Sequence, residues 1–278
     1  MNNPKIIVRN KGGVGNQLFI YAFSKVLSLE LNCNLIYDNY SGFKNDFYKR
    51  TNRLDYIVNP QRKTSKNINK NLYAFLKLLP DPITIFFGYK IIVDNPQELI
   101  LLDINKLKKL KYIFIDGYFQ SYKYFYDKKK LIFDKQIIFK NFKLNKEYKS
   151  FKNEIDKNSI SIHVRRHQYS IALDDNYYHM ALSLFDNLDG HIFIFSDDLN
   201  SCREIFKGKR FIFVETRVSD EIQELYLLTL FENQIISNST FSYWGAMLSY
   251  KSEINVIAPK NPGIGVKNNF YPSNWKTI

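Results

Sequence analysis

Residues 159–166 read Ser159-Ile160-Ser161-Ile162-His163-Val164-Arg165-Arg166, in which polar and apolar side chains alternate strictly as far as Arg165. That period of two is a β-strand: Ile160, Ile162 and Val164 take one face, Ser161, His163 and Arg165 the other. Outward along the chain, similar β-branched or aromatic runs recur at His191–Phe195, Phe211–Val214, Gln234–Ser237 and Asn255–Ala258. Between them the pattern predicts helices near Tyr177–Asp186, Asn200–Lys207, Asp220–Glu232 and Phe241–Tyr250. Strands alternating with helices at this spacing predict a parallel sheet covered on both faces. Ligands of such sheets lie beyond the carboxyl ends of the strands, which is where His163 and Arg165 fall.

The first half repeats the plan. A strand at Lys5–Val8 runs into the glycine loop Lys11-Gly12-Gly13-Val14-Gly15 and a helix over Asn16–Leu31. A second strand, Asn34–Tyr37, ends at Asp38. A third, Tyr112–Ile115, leads through Asp116-Gly117 into an expected aromatic helix, Tyr118–Tyr126. The stretch from Ser41 to about Pro96 has no clear pattern. Residues Phe139–Asn158 are lysine-rich and weakly patterned, and are expected to form a linker. The predicted fold class is α/β: two Rossmann-like domains, residues 1–150 and 151–278, facing each other across a cleft.

Composition supports a folded chain. It has 278 residues, 45% of them hydrophobic, with 23 Phe and 20 Tyr, which excludes global disorder. Forty Lys and Arg against 27 Asp and Glu give a formal charge of +13, which attracts nucleic acid, acidic lipid or phosphorylated metabolites. No basic stripe or docking motif marks a nucleic-acid binder, so nucleic acid is not an expected partner. Cys33 and Cys202 form no CxxC pair and read as packed thiols. The start, MNNPKIIVRN, does not read as a secretory signal, so none is expected, and no apolar run approaches the roughly 18 residues that span a bilayer. The expected location is the cytoplasm, with peripheral contact at the anionic inner face of the cell membrane.

Four clusters carry candidate chemistry. The glycine loop lets backbone approach a ligand ahead of a helix start, and Asn16-Gln17 adds two amides that suit a polar ligand. Asp38 sits where a ribose-binding acid would in a nicotinamide enzyme, but Leu18 replaces the third glycine of that fingerprint. His163 with Arg165 and Arg166 can grip a diphosphate and stabilise charge on a leaving phosphate; the plainer alternative is a packed histidine and two solvated arginines. Ser237-Asn238-Ser239-Thr240-Phe241-Ser242 joins a strand end to a helix start and makes an anion cup, or an ordinary N-cap. Phe195-Ser196-Asp197-Asp198 places paired acids at another strand end, to hold ribose or guanine, bind a metal or cap a helix. No further ligands join them, so no metal site is assigned.

In order and spacing these clusters resemble glycosyltransferase family 11, the α-1,2-fucosyltransferases, and more distantly the protein O-fucosyltransferases and α-1,6-fucosyltransferases. The resemblance spans nearly the whole chain. It is carried by Gly12-Gly13-Val14-Gly15-Asn16-Gln17-Leu18-Phe19, Asp116-Gly117-Tyr118-Phe119-Gln120-Ser121 with Tyr124-Phe125, His163 with Arg165 and Arg166, Phe195–Asp198, and Ser237–Ser242. It implies a GT-B arrangement, GDP-fucose as donor held mainly by the second domain, inversion at the anomeric carbon, and neither cofactor nor metal. Arg165 then resembles the residue gripping the β-phosphate, with His163 beside it. Gly15, Asn16, Arg166, Asp197, Asn238, Ser239, Thr240 and Phe241 complete the donor-binding set, Asp197 towards guanosine. Asp38, Asp116 and Gln120 fall on the acceptor side.

One departure stands out. The family continues its HxRR pattern with Gly-Asp, whereas this chain has His167-Gln168, and a glutamine cannot act as a carboxylate. Asp174 and Asp175 follow, and Asp175 is the expected catalytic substitute, with Asp38 and Asp116 as further base candidates. The implied activity transfers L-fucose from GDP-fucose to the 2-hydroxyl of a galactose-ended acceptor. That acceptor is an oligosaccharide or lipid-linked glycan of surface polysaccharide (O-antigen) synthesis. The alternatives are another nucleotide sugar or linkage, or donor binding with impaired turnover.

Overall fold

The computed structural model describes residues 3–58, 63–64, 70–95, 98–134, 138–139, 142–167, 172–185, 187–263 and 269–278. Pro96, Gln168 and Asp186, named above, lie outside them. The chain divides into two compact units, residues 1–140 with 266–270 and residues 141–265 with 271–278. The break therefore falls ten residues before the expected boundary at 150, and a short return segment joins the first unit. Phe270 of that segment is buried against Phe19, with ring centroids 5.6 Å apart.

The first unit opens with β1 (Lys5–Arg9), α1 (Val14–Leu31) and β2 (Leu35–Asp38). A 3-10 turn at Leu54–Tyr56 precedes β3 (Lys63–Thr64), α2 (Lys70–Lys77), α3 (Asp81–Phe86) and β4 (Tyr89–Val93). Then come α4 (Ile104–Leu107), β5 (Tyr112–Asp116), 3-10 turns at Tyr122–Tyr124 and Tyr126–Lys128, and α5 (Lys129–Ile132). The sheet order is β3-β2-β1-β5-β4 with every pair parallel. Ile6, Val8, Ile113 and Ile115 are buried together on one face of the sheet, and Phe114 of β5 is buried on the other. Helix α1 is apolar almost all round and is buried along most of its length. It stops where Asn32 turns left-handed (φ 48°) and returns its amide to Leu29 and Ser28.

The expected aromatic helix over Tyr118–Tyr126 does not form. Asp94 Oδ2 accepts the amides of Tyr118 (3.1 Å) and Phe119 (2.7 Å), and Phe119 takes φ +53°. Its ring is buried, stacked on Phe23 at 3.9 Å between centroids. Gly117 is required here, because a Cβ would stand 2.1 Å from Asp94 Cβ. The segment is thus pinned against α1 before the 3-10 turns begin.

The second unit contains α6 (Lys146–Glu154), β6 (Ile160–Val164), α7 (Asp175–Ser183), β7 (Ile192–Ser196), α8 (Leu199–Ile205) and β8 (Phe211–Phe213). It continues with α9 (Glu221–Leu228), β9 (Asn233–Ile235), α10 (Thr240–Met247), β10 (Asn255–Ala258) and β11 (Lys276–Thr277). Its strands pair in parallel in the order β11-β10-β9-β6-β7-β8. Counted from β6 this is the doubly wound order 3-2-1-4-5-6. Ile160, Ile162, Val164, Ile192 and Ile194 pack on one face with Tyr178, Ala181 and Cys202. Phe193 and Phe195 pack on the other with Tyr148, Leu227, Leu228 and Phe231.

Nine of the twenty residues of the predicted linker form α6. Asn145 caps it by accepting the Tyr148 amide at 3.0 Å, and Tyr148 is fully buried in the second core. Both cysteines are free thiols; Cys202 is buried, while Cys33, just after α1, is only half-buried. Among the described residues, no helix is long and apolar enough to cross a membrane.

Candidate active site

Strand β6 lies where the strand order of the second unit reverses, with β7 on one side and β9 on the other. The carboxyl end of that reversal is where the two loops part and a ligand can enter. His163 is the penultimate residue of β6, and its Nδ1 lies 2.9 Å from Oγ of Ser237, two residues past β9. The Phe241 ring lies beside the imidazole, 5.3 Å between centroids. His163 is buried, and burial, followed by the positive charge of Arg165, pushes its pKa down to about 3. A neutral imidazole at ordinary pH positions neighbours and does not shuttle protons.

The loop after β9 is drawn tight by its own hydroxyls. Ser242 Oγ lies 3.3 Å from Ser237 Oγ and donates to the Ser239 carbonyl at 3.2 Å. Ser239 caps α10 by accepting the Phe241 amide at 3.2 Å. Asn238, Ser239 and Thr240 are all buried at the helix start. The serines thus act first on their own loop. What this leaves for an anion is the positive end of α10.

The two arginines after β6 part company. Asp197, just past β7, accepts the amides of Arg166 (2.8 Å) and His167 (3.0 Å) and lies 3.2 Å from Nε of Arg165. It therefore fixes the loop and Arg165 with it, a task its sequence position does not reveal. Arg166 folds back on α7, where it donates to the Leu173 carbonyl at 3.2 Å and pairs with Asp175. Asp175 is thus a guanidinium partner, Asp174 caps α7, and Asp198 caps α8.

In the first unit, β1 sits at the corresponding reversal between β2 and β5. Gly12 (φ +77°) turns the loop, and a Cβ there would meet Asn16 Nδ2 at 2.9 Å. Gln17, read above as a ligand group, is fully buried. It donates to the carbonyls of Gly12 (2.8 Å) and Thr51 (2.9 Å) and accepts the Arg53 amide at 2.8 Å. It is a structural staple. Gly15 is buried in the first turn of α1, while Asn16 Oδ1 accepts from Nε2 of Gln120 at 2.8 Å. Asp38 accepts the amides of Tyr40 and Ser41 and the Ser41 hydroxyl, closing its own turn.

Asp116 is the centre of a charge cluster missed in the sequence. Lys11 Nζ lies 2.7 Å from it, Arg9 NH1 3.2 Å and Lys77 Nζ 3.3 Å, and Tyr73 donates to it as well. Burial favours the neutral acid, but hydrogen bonds from Lys11 and Tyr73 and the charges of Lys11 and Arg9 outweigh it. They hold the carboxyl well below the usual range. Arg9 and Lys11 were legible as cations at a strand tip; Tyr73 and Lys77 come from the unpatterned stretch. All three base candidates, Asp38, Asp116 and Asp175, are therefore engaged by donors. Among the described residues, no three His, Cys, Asp or Glu side chains gather as a metal-binding set. A cavity of about 370 Å³ beside Asn233 and Asn255 opens at the amino ends of β9 and β10, away from these groups.

Residues 89–278 match the family model described as Glycosyl transferase family 11. The chain belongs to that family. It is 29% identical over 275 residues to an alpha-1,2-colitosyltransferase of Escherichia coli, covering 91% of each chain. It is 24% identical over 284 residues to the O-antigen biosynthesis glycosyltransferase WbnK of Escherichia coli, covering 90% of this chain and 92% of the other. Among solved structures, a mutant of Arabidopsis thaliana FUT1 in complex with GDP gives a TM-score of 0.59 at 12% identity, covering 98% of this chain and 75% of that one. NodZ alpha-1,6-fucosyltransferase soaked with GDP-fucose gives 0.51 at 16% identity, covering 89% and 93%.

This family 11 chain is accordingly a glycosyltransferase with the α/β fold of the GT-B type. Its second unit brings a fixed guanidinium, a neutral imidazole and a helix start to one reversal point. That combination can hold a phosphate group and take up charge as the group departs.

Proposed function

We propose that this glycosyltransferase moves L-fucose from GDP-fucose to the 2-hydroxyl of a galactose-ended acceptor, with inversion and without a metal. The observation that carries the reading is the His163–Ser237 bond, which ties the Arg165 loop to the start of α10. The acceptor oxygen bonds to the anomeric carbon as the carbon–oxygen bond to the diphosphate breaks. The bonding pair leaves with GDP, and the acceptor hydroxyl releases its proton to solvent water. Arg165 and the α10 terminus neutralise the departing diphosphate, while His163 and Asp197 hold them in place. With the aspartates engaged, the transition state is strongly oxocarbenium-like and needs little base help.

The name of the WbnK relative supports a role in O-antigen synthesis, and the acceptor in this reading is an oligosaccharide or lipid-linked glycan. Gln120 and the cations around Asp116 are assigned to that acceptor. A second reading has a specific basis: the colitosyltransferase relative makes colitose, a deoxygenated relative of fucose, the alternative sugar. The test is a donor panel of GDP-fucose, GDP-colitose, GDP-mannose and UDP-galactose, run with and without EDTA, with the product linkage read by NMR. Transfer from GDP-fucose that EDTA leaves unchanged supports the first reading. Exclusive use of GDP-colitose moves the assignment to the second, and use of UDP-galactose alone rejects both.

A further inference from the structure

Helices α2 and α3, the turn between them and Phe87 directly after α3 hold six large apolar side chains in water. Phe75 is 56% exposed, Leu78 82%, Ile83 43%, Ile85 44%, Phe86 84% and Phe87 58%. Isolated exposed apolar residues are ordinary on a protein surface, but six in one short hairpin mark an interaction face. The hairpin is anchored from its other side. Leu76 and Thr84 are buried, and Tyr73 packs on Phe114 while its hydroxyl bonds to Asp116. Pro80 and Pro82 break the run, and it is far too short to span a bilayer.

What lies beside the apolar face says what covers it. The Gly88 carbonyl, directly after Phe87, accepts the amides of Lys111 and Tyr112, and the Lys5 amide donates to the Lys111 carbonyl. The end of the hairpin therefore adjoins a turn carrying exposed Lys108, Lys109 and Lys111, with exposed Lys5 next to it. Residues 70–111 hold seven lysines against four acids. Two copies meeting through this face would bring like charges together. An anionic lipid surface pairs with both features, since rings enter the headgroup layer while ammonium groups meet phosphates.

We infer that the α2–α3 hairpin docks the chain peripherally on anionic membrane, burying Phe75, Leu78, Ile83, Ile85, Phe86 and Phe87. The inference does not rest on the choice of donor or linkage. The test is flotation of the full chain with vesicles containing phosphatidylglycerol and, separately, with pure phosphatidylcholine vesicles. Expected is flotation with phosphatidylglycerol that weakens in high salt. Phe86→Ser with Phe87→Ser lowers partitioning by about tenfold or more. Lys108→Glu with Lys109→Glu lowers it on the anionic vesicles and keeps the wild-type melting temperature, which guards against a misfolded apolar variant. Wild-type chain that stays with the soluble fraction overturns the inference, as does charge-reversed chain that floats like wild type. Light scattering that shows a dimer abolished by the Phe86/Phe87 change, with no lipid binding, assigns the face to a second copy instead.

Discussion

His163 Nδ1 and Ser237 Oγ, 2.9 Å apart, join the two loops that diverge from β6 and β9 at the reversal of the second sheet. Because burial and Arg165 hold His163 neutral down to about pH 3, this bond is unchanged across the working range. His163→Asn is expected to cut kcat/KM by about tenfold through loss of positioning, with the shape of the pH–rate profile unaltered. Parallel profiles for the two proteins check this. A wild-type limb near pH 6.5 that vanishes in the variant would make His163 a proton carrier after all. Stability has its own sign: the unfolded chain binds a proton at His163 that the folded chain refuses. The group's contribution is therefore complete above about 6.5 and is lost as pH falls towards 3.

Arg165 and Arg166 are neighbours with separate tasks. Arg165→Ala is expected to lower kcat by about 100- to 1000-fold and leave the melting temperature near wild type. Arg165→Lys recovers little, because an ammonium cannot reproduce a two-pronged grip on a phosphate. Arg166→Ala instead removes the tie to α7 made through Leu173 and Asp175. It is expected to cost about 1–2 kcal/mol of stability with a smaller loss in kcat. Steady-state kinetics and thermal melts on both variants separate the roles. The prediction fails if the two arginines lose turnover equally.

How much of this could be read from sequence differs by element. Strand β10 was bounded correctly at Asn255–Ala258, and β6 within one residue, because alternation in a buried central strand is unambiguous. The Tyr118–Tyr126 aromatics mimic a helical stripe, but the capture of two amides by Asp94, just past β4, decides their backbone. The lysines of α6 hide Tyr148, so the helix reads as a linker. In the stretch before Pro96, outward-facing Phe and Ile blur both periods, and β4 went unseen. Site residues at strand tips were legible for the same reason the strands were. Their tasks were not, since Asp197 and Asp116 are defined by partners distant in sequence.

Asp116→Asn tests the charge cluster of the first unit. The change leaves Arg9, Lys11 and Lys77 facing a neutral amide, and is expected to destabilise the chain by about 2–3 kcal/mol, somewhat below a fully buried pair because the cations are partly exposed. The carboxyl is held below its unfolded value, so its contribution is present above about pH 4 and is lost as pH falls through the depressed folded value. Denaturation of wild type and variant at pH 7 and pH 3 checks the sign: the gap between them should narrow at the lower pH. A gap that widens would mean that the cations, and not the carboxylate, carry the cluster.

Glu224 has the opposite sign. It lies on α9, where its Oε1 accepts from Tyr148 (3.2 Å) and Ser219 (2.9 Å). Burial raises its pKa to about 7; those hydrogen bonds oppose the rise, and the like charges of Asp220 and Glu221 add to it. The folded chain therefore keeps a proton that the unfolded chain has lost above about 4.5. Stability falls as pH rises from there to 7, and the full cost persists beyond. Glu224→Gln keeps an oxygen for both donors and never ionises. It is expected to be more stable than wild type at pH 8, by about 2 kcal/mol, and nearly equal to it at pH 5. Chemical denaturation at the two pH values reads this directly. A variant less stable than wild type at pH 8 would show that the carboxylate is anchored by attraction strong enough to outweigh its burial.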